Sequence, residues 1–174
     1  MAYRRHPERN IVLTGFHGCR LHEIGRELAL RLRRPFFDVP VEVERRMRHN
    51  LLVRAGIGKA PRRERMVEWV VRDLSYRRST VAVLDCDAMA HPDGYEELQI
   101  FSFLVYLDPP FESLWDRLQR EPACNDLLLQ HGPDGLREMW EKHRRNIFFC
   151  NLQVFLPVDE VAFATKLIAH CFYT

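Results

Sequence analysis

The chain has 174 residues, with 26 Lys and Arg against 24 Asp and Glu, a net charge of +2, 47% hydrophobic residues and 29% charged residues. That is the balance of a soluble globular chain with apolar mass for one core; it excludes a disordered polymer and gives no bulk electrostatic case for nucleic acid or an anionic membrane. The five Cys, Cys19, Cys86, Cys124, Cys150 and Cys171, are odd in number and lack a C-x-x-C pair, so reduced thiols are expected rather than a zinc site or a disulfide framework.

In chain order, Ile11 to Thr14 is a short β-branched apolar run ending at Gly15, the pattern of a buried strand that enters a loop. Leu21, Ile24, Leu28 and Leu32 then recur at helical spacing until Pro35. Phe36 and Phe37 read as a second strand closed by Asp38. Residues 41–53 have helical character, rich in Arg and Glu, and are broken by Gly56 and Gly58. Their Arg45, Arg46 and Arg48 are balanced by Glu42 and Glu44, which suits a solvated face or, less simply, an acidic partner. Pro61 fits a helix start, with Met66, Val67, Val70 and Leu74 along one side to about Tyr76.

Val81 to Leu84 is a further strand ending in Asp85-Cys86-Asp87, and residues 91–94 form a turn. Phe101 to Leu107 is the longest strand, followed by Asp108 and a helix from Phe111 to about Arg120. Residues 121–134, with Pro122, Gly132 and Pro133, read as irregular and as a candidate lid over 121–135. Leu136 to about Phe149 is helical, Leu152 to Leu156 a last strand, and Val158 to Phe172 a closing helix. The apolar run after the N-terminus is too short for a signal peptide, and no stretch approaches the ~20 apolar residues that span a bilayer, so a cytoplasmic protein is expected. Strands alternating with helices along one domain, 1–174, imply an α/β fold with a parallel sheet covered on both faces. Ligands of such sheets bind beyond the C-terminal strand ends, which here carry Gly15, Asp38, Asp85 and Asp108.

A strand, a Gly-containing loop and a helix is also the layout of a phosphate-binding loop, G-x-x-x-x-G-K-[ST]. The chain reads Gly15-Phe16-His17-Gly18-Cys19-Arg20-Leu21-His22. The first Gly is kept, Arg20 stands at the second Gly, Leu21 at the Lys and His22 at the hydroxyl. Beyond the loop, the run from Asn10 through Gly18, Ile24-Gly25-Arg26-Glu27-Leu28-Ala29, Pro35-Phe36-Phe37-Asp38, Val43-Glu44, Val105-Tyr106-Leu107-Asp108 and Leu114-Trp115-Asp116-Arg117-Leu118 resemble, in order and spacing, the motifs of shikimate kinases. The resemblance covers about Asn10 to His170. It implies a three-layer P-loop kinase fold with a five-stranded parallel sheet, a lid, and transfer of the ATP γ-phosphoryl group to shikimate with Mg²⁺.

Residue by residue, the resemblance implies nucleotide contact at Gly15, Gly18, Arg20, Leu21 and His22, Mg²⁺ at Asp38, and a shikimate-like carboxylic acid held by Arg63 and Arg144, with Asp38 on the substrate side. The departures go beyond the loop. Pro40 stands where the family has its second Asp, Asp85-Cys86-Asp87 where it has three glycines, and Asn125-Asp126-Leu127-Leu128 where it has the lid arginine. Arg20 reads either as a substitute cation or as a solvated residue at the helix start. Asp85 and Asp87 read either as substitute Mg²⁺ ligands or as turn residues. His17 and His22 read as a metal pair or as polar surface, and Cys19 as an activated or a buried thiol. The expectation is a shikimate-kinase-like pseudoenzyme that binds or regulates, with a protein partner. The alternative is an active small-molecule kinase with a non-standard phosphate site.

Overall fold

The computed structural model describes residues 8–49, 63–86, 98–155 and 161–173. The Gly56–Gly58 break, Pro61, Asp87 and the 91–94 turn lie outside the described residues. Five strands, β1 (Asn10–Gly15), β2 (Phe36–Asp38), β3 (Val81–Leu84), β4 (Ser102–Asp108) and β5 (Leu152–Phe155), form one sheet in the order β2-β3-β1-β4-β5. Every pairing is parallel, with Ile11 opposite both Val81 and Phe103.

Parallel neighbours require crossover connections, and the crossovers lay helices on both faces. Among the described residues six helices do so: α1 (Leu21–Leu32), α2 (Val39–His49), α3 (Arg63–Ser75), α4 (Phe111–Leu118), α5 (Asn125–Arg144) and α6 (Val161–Tyr173). Because successive strand side chains alternate in direction, β1 divides its residues between two cores. Ile11 and Leu13 pack with α1, α4 and α6 through Leu28, Leu114 and Ile168. Val12 packs with α2 and α3 through Val43, Val70 and Leu74. All six residues of β1 are buried, hence the unbroken apolar run. Gly25 lets α1 lie close on the sheet, since a Cβ there would stand 2.6 Å from Val83 Cγ1 and 2.8 Å from Phe36 Cε2.

Two elements differ from the sequence reading. Helix α2 begins at Val39, immediately after β2, because Asp38 Oδ1 accepts the Val41 N–H at 3.1 Å and so caps it. Pro40 falls in the first turn, where a missing N–H is harmless. The stretch expected to be irregular is helical. A 3₁₀ turn at Pro122–Cys124 leads into α5, whose halves meet at Gly132 (φ 62°, ψ −177°), and Pro133 opens the second half.

The entry to β1 is fixed by one buried side chain. Asn10 Nδ2 donates to Leu74 O at 3.1 Å and to Arg77 O at 2.9 Å, and its Oδ1 accepts Thr80 N–H at 3.0 Å. This amide satisfies the end of α3 and the start of β3 together. Replacing it with Ala strands buried backbone groups, a cost of about 3 kcal/mol, which for a domain this size lowers Tm by roughly 6–12 °C. Thermal denaturation of Asn10→Ala measures this; a Tm within about 2 °C of the parent would show the clamp to be dispensable.

Candidate functional site

The loop between β1 and α1 closes one side of an open cavity of about 250 Å³ lined by residues 15–23 together with Asp85, Cys86, Glu121 and Cys124. Gly15 belongs there for lack of room: a Cβ would lie 2.7 Å from Cys19 Sγ and 2.8 Å from Leu107 O. The turn is held by Cys19 N–H to Phe16 O at 3.3 Å and by Arg117 Nη1 of α4 donating to Gly18 O at 2.6 Å. Gly18 has φ 79° and Arg20 has φ 57°. The left-handed conformation that suits Gly is therefore carried at residue 20 by an arginine, a local strain of about 1–2 kcal/mol.

The side chains turn away from a phosphate-binding arrangement. Arg20 pairs with Glu23 on the first turn of α1. Leu21 is buried in the α1 side of the core. His22 Nδ1 lies 2.7 Å from Asp38 Oδ2. Since Asp38 Oδ1 already caps α2, both carboxylate oxygens are engaged. Among the described residues that line the cavity, Arg20 is the one guanidinium, whereas Glu23, Asp85 and Glu121 are carboxylates. An anion entering this cavity meets net negative charge from these described side chains. Set against the roles that the resemblance implies, the residues present do not fit Mg²⁺-ATP: Leu21, at the cation position, lies in the core, His22, at the hydroxyl position, carries an imidazole, and Asp38 is paired with that imidazole.

The remaining candidates are placed as follows. His17 Nε2 lies 2.9 Å from Cys86 Sγ, separate from the His22–Asp38 pair, and no group of three metal-ligating side chains occurs among the described residues. Burial pushes the Cys19 thiol up to about 12, so it is a protonated core group. Arg63 Nη2 stands 3.6 Å from Asp85 and its Nε 3.6 Å from Glu44, which places Arg63 beside the cavity wall. Arg144 lies elsewhere, at the end of β4. It grips the buried Asp108 with Nε and Nη2 at 2.9 and 2.8 Å, stacks on Trp140, and shares Asp108 with Gln153. The two arginines thus stand at different strand ends, Arg63 at β3 and Arg144 at β4. The Arg144–Asp108 clamp has a faint sequence signal, an acid closing an apolar strand, but its partner comes from 36 residues away.

The His22–Asp38 pair has a pH signature. The bond to Asp38 raises the His22 pKa above its ordinary 6.5, against partial burial. Burial opposes the charged Asp38 carboxylate, but His22 and the Val41 N–H outweigh it and hold its pKa below 3.8. A raised histidine pKa contributes stability in full below 6.5 and loses it as pH rises through the folded value; the depressed Asp38 contributes above 3.8 and loses its share as pH falls. The Tm gap between the parent and His22→Asn should therefore be widest near pH 5–6 and shrink towards pH 9. A gap that does not vary with pH would show that the pair is not ionic. Arg20→Gly relieves the left-handed strain at the loss of an exposed ion pair and should raise Tm by roughly 2–4 °C; a fall would mean the Glu23 contact outweighs the strain.

The chain is similar to curated shikimate kinases: 30% identical over 135 residues to that of Burkholderia lata, covering 77% of this chain and 72% of the relative. It is 31% identical over 127 residues to that of Burkholderia pseudomallei, covering 72% and 67%. The match to the Syntrophus aciditrophicus shikimate kinase, at 30% identity, spans 65% of that protein's length. No family model matches the chain. Among solved structures, the shikimate kinase of Acinetobacter baumannii in complex with shikimate superposes with a TM-score of 0.79 at 21% identity, covering 94% of this chain and 92% of that one. The shikimate kinase of Bacteroides thetaiotaomicron superposes with a TM-score of 0.76 at 16% identity, covering 95% and 99%. The fold is that of a P-loop kinase, and the chain belongs to the shikimate kinase family.

Proposed function

We propose that this member of the family is a pseudoenzyme, a binding or regulatory module with impaired ATP phosphoryl transfer. The observation that carries the reading is the closure of Asp38, one oxygen on the α2 cap and the other on His22, at the position where the family resemblance puts Mg²⁺. Phosphoryl transfer leaves the protein mainly positioning and charge stabilisation. Here the cation and the hydroxyl are replaced, and the lining charge opposes phosphate.

In this reading the small-acid contact is Arg63, whose ion pairs to Asp85 and Glu44 are long, 3.6 Å each, and at an exposed site, whereas Arg144 is held bidentately by the buried Asp108. The segment 121–135, which borders the cavity through Glu121 and Cys124, is the cover over it. Its physiological ligand is a shikimate-like carboxylic acid or a protein partner rather than a nucleotide. One observation favours the second reading, an active kinase using ATP and Mg²⁺ at a non-standard site: the left-handed backbone at Gly18 and Arg20 keeps a loop that can close around a ligand.

A coupled assay with Mg-ATP and shikimate, beside thermal-shift titrations, separates the two. Losing one preorganised group costs about 10²–10³ in rate, so replacing both the cation and the hydroxyl costs about 10⁴ or more, and from the kinase range of about 1–100 s⁻¹ turnover should fall below roughly 0.01 s⁻¹. Mg-ATP should leave Tm unchanged. The triple variant Arg20→Gly, Leu21→Lys, His22→Ser should lose stability through the buried lysine yet gain a Tm rise with Mg-ATP relative to its own ligand-free state. Turnover by the parent above 0.1 s⁻¹, or a clear Mg-ATP shift in the parent, would replace the pseudoenzyme reading with the kinase one.

A further inference from the structure

The near-zero net charge conceals a segregation. In a parallel sheet every strand enters at the same edge, and the entries to β1, β2 and β3 are neighbours. Residues 8–10, 33–36 and 76–80 supply those entries and contain five Arg, namely Arg9, Arg33, Arg34, Arg77 and Arg78, and one acidic residue, Glu8. Hydrogen bonds tie the three segments together. Arg34 Nη1 donates to Arg9 O at 2.9 Å, Asn10 Nδ2 to Arg77 O at 2.9 Å, and Ser79 N–H to Glu8 O at 2.9 Å. The five arginines therefore start from one end of the molecule, opposite the acidic loop cavity; Arg9 turns its Nη2 onto Gln99 O at 2.9 Å and Ser102 O at 2.6 Å, which leaves Arg33, Arg34, Arg77 and Arg78 to form the face.

Aromatic rings are interleaved with them. Arg34 stacks on Phe172, Arg77 on Phe37 and Arg78 on Phe101, with 4.6, 4.2 and 5.1 Å to the ring centroids. Tyr76 is 77% exposed beside Arg77, and Tyr173 is 43% exposed, edge-on to Phe172. Arg9, Arg33, Arg77 and Arg78 make no ion pair with a carboxylate among the described residues. Arg33 is exposed and holds φ 53° at the C-terminal cap of α1, where glycine is the favoured residue. A charged side chain there costs backbone energy and makes no side-chain hydrogen bond or ion pair among the described residues.

We propose that this arginine–tyrosine face binds single-stranded nucleic acid, independently of the loop cavity and of the reading given to it above. Guanidinium groups held in fixed planes bond phosphodiester oxygens bidentately, and exposed rings between them stack on bases of any sequence. An acidic peptide would use the charge but not Tyr76, and an anionic bilayer would use the charge but offer no planar group to stack.

The test is fluorescence anisotropy of a 5′-fluorescein-labelled 15-nucleotide oligouridylate titrated with the full chain between 20 and 200 mM salt. The expected Kd at low salt is on the order of 10 μM. Log affinity should fall against log salt with a slope of about −2 to −3, at ~0.7 per neutralised phosphate of a single strand. Arg77→Glu with Arg78→Glu should weaken binding more than tenfold. Because those two side chains also pack against the fold, the informative variant is Arg33→Gly with Tyr76→Ala. Both positions are exposed, the glycine suits the backbone, and binding should weaken at least fivefold with Tm maintained. Heparin binding should fall with Arg33→Gly and not with Tyr76→Ala.

Absence of an anisotropy change at 20 mM salt overturns the proposal. So does binding that Arg33→Gly with Tyr76→Ala leaves intact. Equal sensitivity of oligouridylate and polyglutamate binding to Arg33→Gly, with no effect of Tyr76→Ala, would reassign the face to acidic protein segments. Retention on phosphatidylserine vesicles without oligouridylate binding would reassign it to a membrane surface.

Discussion

Parallel pairing is the constraint on which the rest of this molecule depends. A sheet in which all five strands run one way has two unlike ends, because every strand enters at one and leaves at the other. Crossover helices must then cover both faces, so β1 is apolar on both sides and Asn10 is the polar group at its start. The exits collect Gly15, Asp38, Asp85 and Asp108, and the entries collect arginines. The opposition of an acidic cavity and a basic face follows from strand direction.

At the exit end, the side chains of the β1–α1 loop are engaged within the fold. Leu21 adds to the core, Arg20 and Glu23 satisfy one another, and His22 closes Asp38. Each of these contacts is locally stabilising or nearly neutral apart from the strained φ at Arg20. In the function proposed above, a nucleotide would have to break the His22–Asp38 pair and bring its phosphates against Glu23, Asp85 and Glu121.

Much of this was legible in the sequence. The apolar runs located all five strands, and the i, i+3, i+4 spacing of Leu21, Ile24, Leu28 and Leu32 located α1, because burial on both faces of a parallel sheet leaves a strong pattern. The 121–134 segment misled because Pro122, Gly132 and Pro133 each signal a break, yet each falls where a helix tolerates it, at a first turn or a kink. Contacts between distant residues were the least legible. Nothing in the composition around Arg144 announces that its charge is consumed by Asp108, and His22 and Asp38 are 16 residues apart on different elements. Asn10 left a signal that could have been used, a polar residue opening a strand with no exposed face.

The placement of β1 also shapes how the chain is made. The central strand is the first to be synthesised, but its partners are β3 and β4, with Ile11 paired to Val81 and to Phe103. Translation must therefore proceed about 70 and then 90 residues further before either neighbour exists, which at 5–20 residues per second is a delay of seconds. Over that interval a strand that is buried along its whole length in the finished protein has no sheet to join, and its apolar run stays without its native cover.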